Sequence, residues 1–142
     1  MSKIKIVEPY IFSRINKKIQ NRTVLAAMTN KQSYDNGIIS NDEIKWLLER
    51  AKGGFGIITT AATNVSKEGK AWNGEFGVYD DSQIPNLTKL TSAIHQTKSL
   101  IIAQLFHGGI KSPQKITGLI PISASELNCK ESSTGKSKKA SG

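Results

Sequence analysis

Short, almost wholly apolar runs alternate along this chain with stretches in which apolar residues recur every three or four positions. Thr23-Val24-Leu25-Ala26-Ala27-Met28 is the first such run. A strand buried on both faces reads this way, as in a parallel sheet, and one is expected over 23–28. Thr29 to Ser40 is polar, with Asn36-Gly37 as a turn signal. Ser40 and Glu43 have the spacing of a capping box, in which each side chain satisfies the other residue's free backbone N–H. Ile44, Leu47, Leu48 and Ala51 then fall at i, i+3, i+4 and i+7, one apolar face of a helix expected over 41–52. Lys52 suits the negative end of that helix dipole, and Gly53-Gly54 stops the helix.

The same alternation then repeats. A second buried strand is expected over 56–60, within Phe55-Gly56-Ile57-Ile58-Thr59-Thr60, followed by a long segment from Ala61 to Asp81. Ile84 to about Thr97 reads as a second helix with Leu87, Leu90 and Ile94 on one face. Pro85 suits its first turn, where a missing N–H costs nothing. A third strand is expected over 100–105, after which the chain is glycine-rich and polar. Residues 1–22 read as irregular, with room for a short hairpin.

Strand, helix, strand, helix, strand is repeated βαβ architecture with right-handed crossovers. It predicts three mutually parallel strands, the second lying between the other two, with both helices on one side. A doubly wound sheet and a closed barrel both fit this periodicity. The former wants a glycine-rich turn directly after its first strand, and Thr29-Asn30-Lys31-Gln32 occupies that position.

Composition narrows the class. The hydrophobic share of 37% and charged share of 22% are those of an ordinary globular domain. No apolar run approaches the ~20 residues of a membrane helix, and no secretory signal pattern follows the first lysines. Cys129 is the only cysteine, so neither an intrachain disulfide nor a cysteine metal cluster is available, and no metal site is expected. These features point to the cytoplasm and away from a membrane. The formal charge of +9 comes from 20 basic and 11 acidic residues. The lysines are dispersed and not interleaved with aromatics, so no nucleic-acid partner is expected.

Four stretches carry a family resemblance. They are Asn21-Arg22-Thr23-Val24-Leu25-Ala26-Ala27-Met28-Thr29-Asn30, Arg50-Ala51-Lys52-Gly53-Gly54-Phe55-Gly56-Ile57-Ile58, Gly77-Val78-Tyr79-Asp80-Asp81-Ser82-Gln83-Ile84-Pro85, and Gln104-Leu105-Phe106-His107-Gly108-Gly109. In this order and at strand ends, they resemble the N-terminal portion of the old yellow enzyme family (NADH:flavin oxidoreductase / NADH oxidase). Ala27 stands where that family usually has proline, and Ile110 where arginine is frequent. The resemblance implies an α/β fold, the N-terminal part of a TIM (β/α)8 barrel with about three parallel strands and two helices. It implies a partial FMN-binding barrel domain over residues 1–125, with a polar basic tail, the start of an interrupted segment, over 126–142.

The implied activity is that of an FMN-dependent NAD(P)H oxidoreductase of the ene-reductase type, passing hydride through the flavin to an activated alkene. FMN is then the cofactor and NAD(P)H the co-substrate. The cofactor residues implied are Ala27, Met28, Thr29, Ala62 and Gln104. Thr29 would hydrogen-bond the flavin O4, Ala27 and Met28 would lie along the ring, and Ala62 would face the same ring edge. Gln104 would pair its amide, both donor and acceptor, with the N3 and O2 region. No residue here is expected to be catalytic. The family's substrate-gripping pair, its proton-donating tyrosine and its phosphate site come from later strands of a barrel that takes ~250 residues. His107 reads as a structural histidine bonded to backbone, and Trp46 and Trp72 as packing residues.

The resemblance thus implies a fragment inactive alone. It would work only with the rest of the barrel supplied in trans, or would self-associate through open sheet edges. The alternative from the residues themselves is a non-catalytic basic half-barrel module binding an anionic partner.

Overall fold

Val24 and Leu25 pair in parallel with Ile57 and Ile58, which pair in parallel with Leu100 and Ile101, so three apolar dipeptides stand side by side. This is the centre of the fold in a computed structural model that describes residues 5–141. Before it lies an antiparallel hairpin, β1 (Tyr10–Phe12) and β2 (Lys17–Ile19). The parallel strands are β3 (Val24–Leu25), β4 (Ile57–Asn64) and β5 (Leu100–Phe106), in the order β3-β4-β5. Helix α1 (Asn41–Lys52) joins β3 to β4, and α2 (Ile84–His95) joins β4 to β5. The parallel pairing, the central second strand and the two helices are those expected.

Both helices cover one face of the sheet. Ile44, Leu47 and Ala51 of α1 and Leu90 and Ile94 of α2 share a buried cluster with Leu25, Ile58 and Ala61. Leu47, Ile58, Leu90 and Ile94 are each no more than 1% exposed. Burying such a side chain contributes roughly 1.5–3 kcal/mol, so this cluster dominates the fold's stability. Among the described residues the opposite face carries no helix, and Val24 and Ile102 on it are 54% and 50% exposed.

Several element ends differ from expectation. The first strand was expected over 23–28 but pairs only at Val24 and Leu25. It has one neighbour, and beyond Leu25 the chain leaves the ladder for the loop to α1. The second strand runs on to Asn64, past the expected end at residue 60. Its polar end is tolerated because the Thr60 hydroxyl donates to the Ala61 carbonyl (2.8 Å) and the Thr63 hydroxyl has either that carbonyl or Thr60 Oγ1 as acceptor (3.0 Å to each). Helix α2 ends at His95, with Thr97 N–H closing on the Ile94 carbonyl.

The expected capping box on α1 is half formed. Ser40 Oγ accepts from Glu43 N–H (3.1 Å), but the Glu43 carboxylate accepts from the Ser33 hydroxyl, and it is Ser33 Oγ that accepts the Ser40 N–H. A complete box forms instead at Asp80 and Gln83, ahead of α2. Gly54, at φ 101°, supplies the left-handed turn that ends α1.

The segment after β5 contains a short helix, α3 (Gln114–Thr117), and a pair of two-residue strands, β6 (Ile122–Ser123) and β7 (Lys138–Lys139). Residues 126–139 fold back here: Cys129 is buried with Sγ against the Ile110 carbonyl, and Ser137 N–H bonds the Leu127 carbonyl.

Candidate functional site

Because β3, β4 and β5 are parallel, their C-terminal ends emerge together, and the three following loops meet there. Backbone hydrogen bonds lace them: Ser33 to Gly74, Gly77 to Gly37, Val65 to Phe106, and Gly108 to Gly69. Barrel proteins place their chemistry at this end of the strands.

A bulge in β4 shapes the site. Thr59 pairs with Ile102 and Ala62 with Gln104, so Thr60 and Ala61 together oppose Ala103. The extra residue keeps Ala61 in the helix-side core while turning Ala62 to the other face. Gln104 shares that face, since Ile101 packs toward the helices and side chains alternate along a strand. The bulge also removes a carbonyl from the ladder. Thr60 Oγ1 replaces it, accepting the Gln104 N–H at 3.1 Å.

The five candidate residues are placed as follows. Ala62 and Gln104 are direct partners at the C-terminal end of the sheet, on its helix-free face. Ala62 is buried, and Gln104 is exposed with its side-chain amide free of protein partners among the described residues. Ala27, Met28 and Thr29 lie in the irregular segment after β3, with Ala27 half-buried and Met28 and Thr29 exposed. The structure thus brings Ala62 and Gln104 together, while Ala27, Met28 and Thr29 stand on the loop that follows the neighbouring strand. His107 Nδ1 accepts the Gly109 N–H at 2.9 Å, a backbone role. Trp72 packs on Phe106 with ring centroids 5.2 Å apart, and Trp46 packs under Arg50.

Behind these loops lie charged groups that are buried, and their types alone did not announce it. Lys70 is 5% exposed and donates to the Asp35 carbonyl at 2.6 Å. Burial pushes its pKa down, against the pull of Asp35 and Glu75. Glu75 is 2% exposed and accepts from Ala71 N–H at 2.8 Å. Burial pushes its pKa up, against backbone hydrogen bonds from Ala71 and Trp72 and the charge of Lys70. Tyr79 is also pushed up, by burial and then by Asp80. Nothing in the periodicity of 61–81 marked Lys70 or Glu75; only their place beneath the loops explains them.

The model of the NADH:flavin oxidoreductase / NADH oxidase family matches residues 6–139. The chain belongs to that family. Among its relatives, a probable NADH-dependent flavin oxidoreductase of Bacillus subtilis (strain 168) is 37% identical over 111 residues, covering 78% of this chain and 29% of the relative. The NADH:acrylate oxidoreductase of Vibrio harveyi is 34% identical over 124 residues, covering 87% of this chain and 12% of the relative. The chain therefore spans less than a third of the length of either. The solved old yellow enzyme homologue from Zymomonas mobilis superposes with a TM-score of 0.82 at 24% identity, over 96% of this chain and 40% of that one. The fold is accordingly part of the family's barrel. Among the described residues, no helix is long and apolar enough to cross a membrane.

Proposed function

We propose that this chain supplies the first β/α units of an FMN-dependent NAD(P)H oxidoreductase of the ene-reductase type, and is inactive by itself. The observation that carries this reading is the pairing of Ala62 with Gln104 on the helix-free face at the C-terminal end of the sheet. The relative whose name specifies acrylate, an activated alkene, supports the substrate class. FMN, when bound, supplies hydride acceptance and donation; the protein orients the ring and adjusts its electronics. In that role Gln104 offers a donor and an acceptor to the N3 and O2 edge, and Thr29 donates its hydroxyl to O4. Ala62 leaves room beside Gln104, and Ala27 and Met28 run along the ring.

Inactivity follows from what positioning requires. Turnover needs the nicotinamide held over the ring, the substrate carbonyl gripped and a proton donor opposite the hydride, and positioning is a large share of the barrier reduction. One open face of a sheet offers none of these. The remaining β/α units of a barrel are the natural partner. The outer edges of β3 and β5 are unpaired among the described residues, and Leu105 is 66% exposed. Open edges of this kind also favour self-association.

The test is direct. The 142-residue chain is expected not to reduce cyclohexenone with NADPH above the rate of free FMN, and to hold FMN weakly. Addition of a fragment carrying the later strands is expected to restore turnover, with Gln104→Ala abolishing it. Turnover by the chain alone would overturn the inactivity. A complemented enzyme indifferent to Gln104→Ala would overturn the site.

One observation bears on the alternative. Residues 23–108 hold as many acidic as basic side chains, so the whole excess of +9 lies in the flanks. Salt-sensitive retention on heparin, without bound flavin, would favour a module that binds an anion through those flanks.

A further inference from the structure

Glu43 stands in the first turn of α1 and is 1% exposed. A glutamate that merely favoured the helix dipole would do so from the surface. Buried, its carboxylate costs free energy unless it is held. What holds it comes from the loop after β3. The Ser33 hydroxyl donates to Glu43 Oε2 while its own oxygen accepts the Ser40 N–H at 3.2 Å. The Ser33 N–H in turn bonds the Gly74 carbonyl at 3.1 Å, which ties this point to the loop after β4. Asn30 also acts on the carboxyl, drawing its pKa down against the larger effect of burial. Asn30 Oδ1 accepts the Gln32 N–H, which leaves Nδ2 as the group free to face a carboxylate. Asn30 Nδ2 and Glu43 Oε1 are both buried, and neither has a hydrogen-bond partner among the described residues, so the amide acts on the carboxyl by proximity without a formed bond.

We infer that Glu43 is a positioning residue. Through the Ser33 hydrogen bond, with Asn30 beside the carboxyl, it holds the Thr29–Ser33 segment against the start of α1, and so sets where the Thr29 hydroxyl stands at the mouth of the sheet. The consequence for flavin rests on the function proposed above; the anchoring does not. Helix α1 is the rigid body here, because Ile44 and Leu47 beside Glu43 are locked in the core. The segment from Ala26 to Gln32 has no ladder partner among the described residues. A polar contact from a fixed helix is therefore what gives it one position.

The test uses the whole chain, labelled with 15N, and two variants. Ser33→Ala removes the hydroxyl bridge. Ser40 N–H is expected to exchange about fivefold to tenfold faster, the effect of one hydrogen bond, and the Thr29 and Asn30 amide resonances to shift. Ile58 and Ile101 amides should stay protected, which shows the core intact. Glu43→Gln keeps volume and an acceptor for Ser33, but one carboxylate oxygen becomes an amide nitrogen. It should shift Thr29 and Asn30 while leaving Ser40 protected. Should Ser33→Ala unfold the chain, Glu43→Gln carries the test alone.

FMN is then added. In the wild-type chain it should perturb both Thr29 and Gln104; in the variants, Gln104 only. Unshifted Thr29 and Asn30 in a folded variant would overturn the inference, leaving Glu43 as a buried helix-start residue. If the variants release the loop but FMN perturbs neither residue in the wild type, the positioning stands and the flavin reading fails.

Discussion

Replacing Thr60 by valine removes one hydroxyl and almost no volume, at the point where β4 bulges. Thr60 is 3% exposed. Its Oγ1 accepts the Gln104 N–H at 3.1 Å, donates to the Ala61 carbonyl at 2.8 Å and shares a bond with Thr63 Oγ1 at 3.0 Å. The Ala61 carbonyl keeps a second donor in Thr63, so about two bonds are lost without replacement. At ~1 kcal/mol net each, Thr60→Val should cost ~2 kcal/mol. For a chain of this size that lowers Tm by roughly 5–8 °C. Thr60→Ser is the control: it keeps the hydroxyl and gives up one methyl, for about 1 kcal/mol. Urea unfolding followed by far-UV circular dichroism reads both, and hydrogen exchange at the Gln104 amide should rise in the valine variant alone. If Thr60→Val unfolds at the same urea concentration as Thr60→Ser, the hydroxyl does not replace the missing ladder carbonyl and this account of the bulge is wrong.

Other outcomes follow from single contacts. Gly56→Ala would place a Cβ 2.5 Å from the Asn21 backbone oxygen; the resulting overpacking should cost about 1–3 kcal/mol in urea unfolding. Gln83→Ala removes the acceptor of both the Tyr79 and Asp80 N–H groups, at 2.9 and 3.2 Å; the same assay should show a loss of about 2 kcal/mol. Burial raises the Glu43 carboxyl above its ordinary 4.5, against the opposing Ser33 hydrogen bond and the nearby Asn30 amide. The folded state then binds that proton more tightly than the unfolded one. This contribution is full below pH 4.5 and is lost as pH rises through the folded value. Glu43→Gln has no such loss, so its stability relative to wild type should increase from acid to neutral pH; a pH-independent difference would show that Glu43 does not titrate this way.

The elements that local pattern predicted are those whose residues face one environment. Leu47, Leu90 and Ile94 lie on helix faces that all meet the same sheet, and Ile57-Ile58 and Ile101-Ile102 sit in strands. Their spacing therefore reads directly as structure. The end of β4 was not legible, because Thr60, Thr63 and Asn64 look like the start of a loop. They are buried polar residues whose side chains bond mostly within three positions, but the Gln104 N–H on Thr60 Oγ1 and the Phe76 carbonyl on Asn64 N–H come from segments that only the fold brings to them. The capping box shows the same limit. Ser40 and Glu43 have the right spacing, yet Ser33, remote in the pattern, takes the place of half of it.

The sequence by itself determined the βαβαβ order, the parallel sense of the strands and the family, because each rests on short-range periodicity and on motifs contiguous along the chain. It also named Gln104, within one of the family's motifs, and Ala62, as a position the resemblance implies. Only the tertiary structure decided that these two face each other on the helix-free side. That depends on one extra residue in β4 between Thr59 and Ala62. Strand side chains alternate with a period of two, so a single inserted residue reverses every face beyond it. No local preference encodes such an insertion. It appears only when β5 is laid alongside and the Thr60 hydroxyl is found accepting the Gln104 N–H in the ladder.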